Sequence, residues 1–409
     1  DADLREGDYL VDIIGESIFS VNRELRPLTA EELLKSHKEV RMAMIKELQS
    51  WIDNKAFKPT KRKAYRDSSN LREIPAKWVI EWKEKEGKRV IKARLCMKGF
   101  AERNQHRMQT FSPTASRTGH RMVALQAALE KTPLASMDIS TAFLKGMTFE
   151  ELKEMGMERQ PCAFEPPEGT LEILRELCGD TFGCTTIDVE SWVLELLKGG
   201  YGTKDAPLLW NLRAVKCLTK DIGMKPSAYD PMLFYHLEKG KKVLELSLHV
   251  DDLLTQGAEV WLLWLRKQLE YHFGKVTYEV DDFKHFGVRV SRDKETYGVI
   301  MNQTHYLAQL EPIKIEKTRG DGRNDESLAT ELEITDYRSV VSGMSWVALT
   351  SPLAMSVASL LQAALPKPTI RDLKKVNASL EDLKAKYTPL WLRGDLNLNE
   401  VRLLGIGDS

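Results

Sequence analysis

Leu248-His249-Val250-Asp251-Asp252-Leu253-Leu254 ends an alternating apolar run with two adjacent aspartates. Leu244, Leu246, Leu248 and Val250 share one face, and Glu245, Ser247 and His249 share the other, which is the period of a half-buried strand. Leu253 and Leu254 begin the return. Carboxylates side by side at such a tip repel each other, and a divalent cation is the usual compensation, since Mg²⁺ takes one or two carboxylates together with substrate phosphates. The hairpin therefore suggests metal-dependent chemistry on phosphates. Taken alone, the dipeptide favours an ordinary polar turn. A second copy, Val280-Asp281-Asp282, shows how cheap the pattern is. It runs into Phe283-Lys284-His285-Phe286-Gly287 and reads as an exposed acidic loop before the strand Val288-Arg289-Val290.

The chain has 409 residues, 42% apolar and 29% charged, which describes a soluble globular protein of two or three subdomains. Its five cysteines (Cys96, Cys162, Cys178, Cys184, Cys217) include no Cys-x-x-Cys pair. That speaks against a zinc or disulfide framework and for a reducing, intracellular compartment. No signal peptide is visible. The uncharged stretch Val340 to Leu365 contains Ser351-Pro352, an N-cap followed by a first-turn proline, so two buried helices are expected there and no membrane span.

A formal net charge of zero hides an asymmetry. Residues 51–110 carry 17 Lys+Arg against 7 Asp+Glu, a net of +10, and residues 151–200 carry 4 against 11, a net of −7. A basic segment with Trp78, Trp82 and Phe100 suits a phosphate backbone, and equally an ordinary solvated face.

Thr29 and Glu32 stand in capping-box spacing at the head of a helix running to about Ile52. Lys58 to Arg72 reads as a basic loop, followed by a strand pair, Ala76 to Trp82 and Arg89 to Leu95. A helix over about 119–131 precedes the strand Leu134 to Ile139, and residues 147–190 read as an irregular insertion rich in Glu, Pro and Gly. Asp205-Ala206-Pro207 opens an apolar helix to about Ile222, and a further helix covers Ala258 to Phe273. Strand, helix, hairpin, helix, strand around an acidic tip is a split βαβ layout of the α+β class.

The partner of the acidic tip is Asp138, in Met137-Asp138-Ile139-Ser140-Thr141-Ala142-Phe143-Leu144, and between the two lies Tyr201-Gly202-Thr203-Lys204-Asp205-Ala206-Pro207-Leu208-Leu209-Trp210. This trio resembles motifs A, B and C of reverse transcriptases of copia-type (Pseudoviridae) long-terminal-repeat retrotransposons. Those read D-[VI]-x-T-A-F-L-x-G, Y-G-L-K-Q-A-P-x-x-W and Y-V-D-D. Lys92-Ala93-Arg94-Leu95-Cys96-Met97-Lys98-Gly99-Phe100 and Thr110-Phe111-Ser112-Pro113 are similar to that family's fingers strand and T-F-S-P segment. Phe286-Gly287-Val288-Arg289-Val290 and Tyr337-Arg338-Ser339-Val340-Val341-Ser342-Gly343 match its later motifs, so the likeness runs from about residue 40 to the end.

The resemblance implies a right-hand polymerase with a split βαβ palm, fingers and a helical thumb. Its expected parts are a partly disordered leader (1–39), fingers (40–137), a palm (138–295) with the inserted 147–190 segment, a helical thumb or connection (296–395), and the start of a truncated ribonuclease H-like domain (396–409). It implies an RNA-directed DNA polymerase acting on an RNA template, a DNA primer and dNTPs. Two Mg²⁺ ions, replaceable by Mn²⁺, would sit about 3.5–4 Å apart. Asp138, Asp251 and Asp252 would be the catalytic carboxylates and, with the backbone carbonyl of Ile139, the metal ligands. Arg94 first and Lys92 second are candidates for the triphosphate, Phe143 and the neighbouring Ala142 for the sugar, and Gly202, Lys204 and Asp205 for the motif B contact.

Three departures stand out: His249 replaces the motif C tyrosine, Thr203 and Asp205 replace Leu and Gln of motif B, and the acidic insertion is long. They define the alternative, a catalytically impaired or repurposed relic that binds nucleic acid. An acid at 205 is expected to repel an incoming nucleotide. Leu403 to Ser409 resembles the first ribonuclease H strand, so the chain reads as a piece of a Pol polyprotein or a truncated gene model. Integrase and ribonuclease H regions are then expected outside it, and the location is a cytoplasmic retroelement particle or the nucleus.

Overall fold

A computed structural model describes residues 25–85, 88–103, 108–179, 191–315 and 322–396. The expectations for residues 1–24, for the hairpin tip at Glu86-Gly87, for residues 180–190 and for the ribonuclease H strand from Leu403 lie outside these. The chain divides into two compact units. One comprises residues 24–119 and 137–278, and the other comprises 120–136 and the described residues from 279 onward. Helices and sheets are mixed in both, which is the α+β class expected.

The central sheet of the first unit orders its strands as residues 276–278, 137–139, Asp252–Gly257, Lys241–His249, Leu233–Glu238 and Lys225–Pro226. The strand Leu134–Ile139 is thus the neighbour of the return strand of the aspartate hairpin. A long antiparallel ladder joins Ala76–Lys85 to Lys88–Met97. Thr29 and Glu32 form the expected capping box, and the helical stretch after it breaks into Ala30–Lys35 and His37–Asp53.

Two segments read as irregular are ordered. The basic stretch after Ala56 forms the strand Phe57–Lys61 and the helix Arg62–Ser69. The strand lies at the edge of a three-stranded sheet, where Pro59 removes no needed ladder donor. The acidic insertion contributes the helix Phe149–Glu154, capped by a Thr148–Glu151 box, and the helix Thr170–Cys178. Its Phe164, Leu171, Ile173 and Leu174 complete a core with Leu48, Trp51, Phe57 and Leu95. Trp51 stands 5.7 Å from Phe57 and 6.0 Å from Phe164 between ring centroids, within the range of favourable aromatic pairing.

The charge asymmetry is met internally. Lys58 pairs with Glu195 at 3.2 Å, Arg62 with Glu73 and with Glu165 at 2.9 Å, and Arg41 with Glu176. Acidic residues of the 151–200 segment thus sit against Lys58 and Arg62 of the 51–110 segment and against Arg41.

The second unit buries Tyr337, Val340, Val341 and Met344 against Leu361, Leu373, Val376 and Leu380. The helices Glu331–Val347 and Pro352–Gln362 meet as the sequence predicts, and the Ser351 hydroxyl accepts the Ala354 N–H. No helix among the described residues is long and apolar enough to cross a membrane. The second Val-Asp-Asp copy is exposed at Val280 and Asp282, as expected, but its middle residue is not free. Asp281, at φ +60°, accepts the Leu134 N–H and pairs with the buried Arg292 at 3.2 Å.

Candidate active site

The strand Leu134–Ile139 is buried at every position except Asp138, which is half-buried. The Ile139 N–H donates to the Asp251 carbonyl at 3.1 Å and ties the strand to the hairpin turn. His249 pairs with Asp252 at the end of the ladder, leaving Val250 and Asp251 as a two-residue turn. Val250 takes φ +56° at the first turn position, which type II′ hairpins fill with glycine. A β-branched residue there is an outlier that the surroundings must hold, at a cost on the order of 1–3 kcal/mol. Trp210 supplies part of that hold, donating its indole N–H to the Val250 carbonyl at 2.6 Å. The Ala115 N–H donates to Leu248 O at 2.9 Å and anchors the outgoing strand.

The three aspartates share one field. Burial raises the Asp138 carboxyl above its usual range, Asp251 raises it further, and Lys83, Lys92 and Lys145 oppose the rise. Asp251 is raised by burial against the pull of Lys92. Asp252 is pushed up to about 7 by burial and by the charges of Asp251 and Asp138. Among the described residues no cation opposes that rise. Three crowded carboxylates, one of them with no cation opposing its rise, suit a hard divalent ion. Among the described residues Cys217, Asp221 and His272 bring three ligand atoms within 4.8 Å of one another.

The two expected cationic side chains stand differently toward the aspartates. Lys92 acts on Asp138 and Asp251, and its own ammonium is lowered by burial and by Arg94 and Lys83. Arg94 instead pairs with Glu81 at 2.7 Å across the ladder. Lys83 and Lys145 were not foreseen. The Lys145 ammonium donates to Ser140 O at 2.5 Å, and its place in the short helix Ala142–Lys145 was hidden behind the Phe143 motif. Ala142 is buried, and Phe143 is half-buried and edge-on to Tyr201 at 6.0 Å.

The turn at 201–205 is packed by backbone. Gly202, at φ +90°, lies where a Cβ would come within 2.1 Å of Met97 O, and the Met97 N–H donates to Tyr201 O at 2.8 Å. Lys204 is exposed. Asp205 does not present its carboxylate as expected. It is buried and paired with Arg159 at 2.5 Å, and Arg159 also holds Glu102 at 2.5 Å. The charge introduced at 205 is therefore neutralised from the insertion, and nothing in the spacing of these three residues announces the cluster.

Residues 63–170 match the family model described as reverse transcriptase (RNA-dependent DNA polymerase). The chain is 23% identical over 89% of its length to the retrovirus-related Pol polyprotein from transposon RE1 of Arabidopsis thaliana. It is 24% identical over 71% of its length to that from transposon TNT 1-94 of Nicotiana tabacum. The chain is thus similar to the reverse transcriptase region of copia-type retrotransposon Pol polyproteins. It spans 23% of the RE1 polyprotein and 20% of the TNT 1-94 polyprotein, under a quarter of each. A solved foamy viral protease–reverse transcriptase in complex with double-stranded DNA aligns with 90% of this chain and 52% of its own, at 11% identity and a TM-score of 0.41. A telomerase from Candida albicans aligns with 84% of this chain and 59% of its own, at 10% identity and a TM-score of 0.39.

Proposed function

We propose that this chain is an RNA- and DNA-templated DNA polymerase of a copia-type retrotransposon that transfers nucleotides with two divalent ions, Mg²⁺ or Mn²⁺. The observation that carries the reading is the shared field of Asp138, Asp251 and Asp252 on neighbouring strands. These carboxylates, with the Ile139 carbonyl, would hold the ions. Bound there, divalent ions supply charge neutralisation and Lewis-acid activation for in-line phosphoryl transfer. Lys92 would draw the triphosphate, Phe143 would crowd a ribose 2′-hydroxyl and favour dNTPs, and Gly202 lets motif B pack against backbone. Residues 40–137 serve in this reading as fingers, 138–295 as palm and 296–395 as thumb. RNA template and DNA primer are the partners, in a cytoplasmic particle or the nucleus.

Primer extension on RNA and DNA templates tests this, with wild type and Asp251→Asn in Mg²⁺ or Mn²⁺. Extension by wild type alone supports the polymerase. A second reading, a relic that binds nucleic acid without extending it, rests on His249, Thr203 and Asp205 standing where the family's motifs carry Tyr, Leu and Gln. Hybrid binding with no extension by either protein establishes it. Primer degradation without added nucleotides would instead indicate a nuclease.

A further inference from the structure

The helix Ala206–Lys216 does not simply end. It continues as a π-helical turn over Cys217–Asp221. Such turns are rare and frequent at functional sites. Here the turn brings Cys217 and Asp221 to His272, in the last turn of the helix Glu259–Phe273. One sulfur, one carboxylate oxygen and one imidazole nitrogen then lie within 4.8 Å of one another. Cys217 is buried, His272 half-exposed and Asp221 exposed, so the cluster opens outward. His272 also lines an open cavity of about 610 Å³.

We propose that Cys217, Asp221 and His272 form a binding site for Zn²⁺, separate from the aspartate site. Zinc takes S, N and O donors at about 2.0–2.3 Å, which sets tetrahedral donors roughly 3.3–3.8 Å apart. The observed spacing closes to that by small side-chain rotations. Three protein donors leave the fourth position to solvent on the open side. A thiolate and an imidazole are the wrong donors for Mg²⁺, whereas the all-oxygen aspartates are the right ones, so the two sites sort cations by donor chemistry. On binding, the Cys217 thiol gives its proton to solvent and the sulfur forms the bond to zinc. Thiolate and carboxylate together balance the dication. The site would tie together the ends of two helices that already meet through Trp210 and Phe273, whose rings are 5.1 Å apart. The proposal does not depend on polymerase activity.

The test is titration of the metal-stripped full chain with Co²⁺, read by thiolate-to-cobalt charge-transfer absorption, with Zn²⁺ and excess Mg²⁺ as competitors. The expected result is one equivalent bound, displaced by Zn²⁺ and not by Mg²⁺, with the absorption lost in Cys217→Ser. Affinity should fall by about tenfold or more in His272→Ala and in Asp221→Asn. Asp221 is exposed, so its variant keeps the fold if Cys217→Ser does not. Absence of the band in folded wild type overturns the proposal. So does a band unchanged in both Asp221→Asn and His272→Ala.

Discussion

The indole N–H of Trp210 donates to the carbonyl of Val250 at 2.6 Å, joining motif B to the turn that carries Asp251. Trp210→Phe keeps the ring and removes the donor. Leaving that carbonyl unmet costs about 1–3 kcal/mol of stability. Primer extension should fall about tenfold or more with template binding retained, because the strained turn loses its tether. Denaturant melts beside extension assays check both halves, and an unchanged rate would show that the turn holds itself.

Lys92 and Arg94 point to a second contrast. Lys92 acts on Asp138 and Asp251, and Arg94 is engaged by Glu81. Lys92→Ala should lower kcat/KM for dNTPs by about tenfold or more, as expected for loss of a cation facing a transferring phosphoryl group. Arg94→Ala should change it less than Lys92→Ala does. Steady-state kinetics on one primer–template decides, and the reverse ranking would restore Arg94 as the triphosphate residue.

Arg159 is the cation between two buried acids, Glu102 and Asp205. Arg159→Met leaves both carboxylates uncompensated and should destabilise the chain by about 3–5 kcal/mol. Asp205→Asn placed in the same protein should recover part of that loss, while Asp205→Asn in the wild-type background should not stabilise. Urea unfolding of the four proteins measures the coupling.

Glu73 gives a pH dependence. Burial raises its carboxyl, but hydrogen bonding from Arg66 and the charges of Arg62 and Arg66 outweigh burial and hold it below the ordinary value. A depressed carboxyl contributes stability that is present above its unfolded pKa of about 4.3 and is lost as pH falls through the folded value. The stability difference between wild type and Glu73→Gln should therefore be constant near neutrality and shrink below about pH 4. A difference that grows on acidification would contradict the sign.

The aspartate hairpin, the strand ending at Ile139 and the helix of Trp261, Leu262, Leu265 and Leu269 were legible because their apolar periodicity is strong. The insertion was not. Pro161, Pro166, Pro167 and Gly169 read as breaks, and the core contribution of Phe164, Leu171, Ile173 and Leu174 depends on partners 69 to 126 residues earlier, Leu48, Trp51, Phe57 and Leu95. Electrostatic wiring was the least legible. Asp205 looked like a charge facing a nucleotide, and only packing reveals Arg159, 46 residues earlier. Likewise the two Val-Asp-Asp copies are identical as text. Asp281 has Arg292 beside it, whereas no cation offsets Asp252 among the described residues.

The clasp between the acidic 151–200 segment and the basic 51–110 segment gives ionic strength a second target. Lys58 and Arg62 are held by Glu195 and Glu165, so part of the positive charge that a polyanion would seek is already occupied from within. Added salt screens this internal counterion layer as well as any external strand. The measured salt slope of nucleic-acid binding is then a difference between two screened attractions, shallower than a count of lysines and arginines in residues 51–110 would forecast.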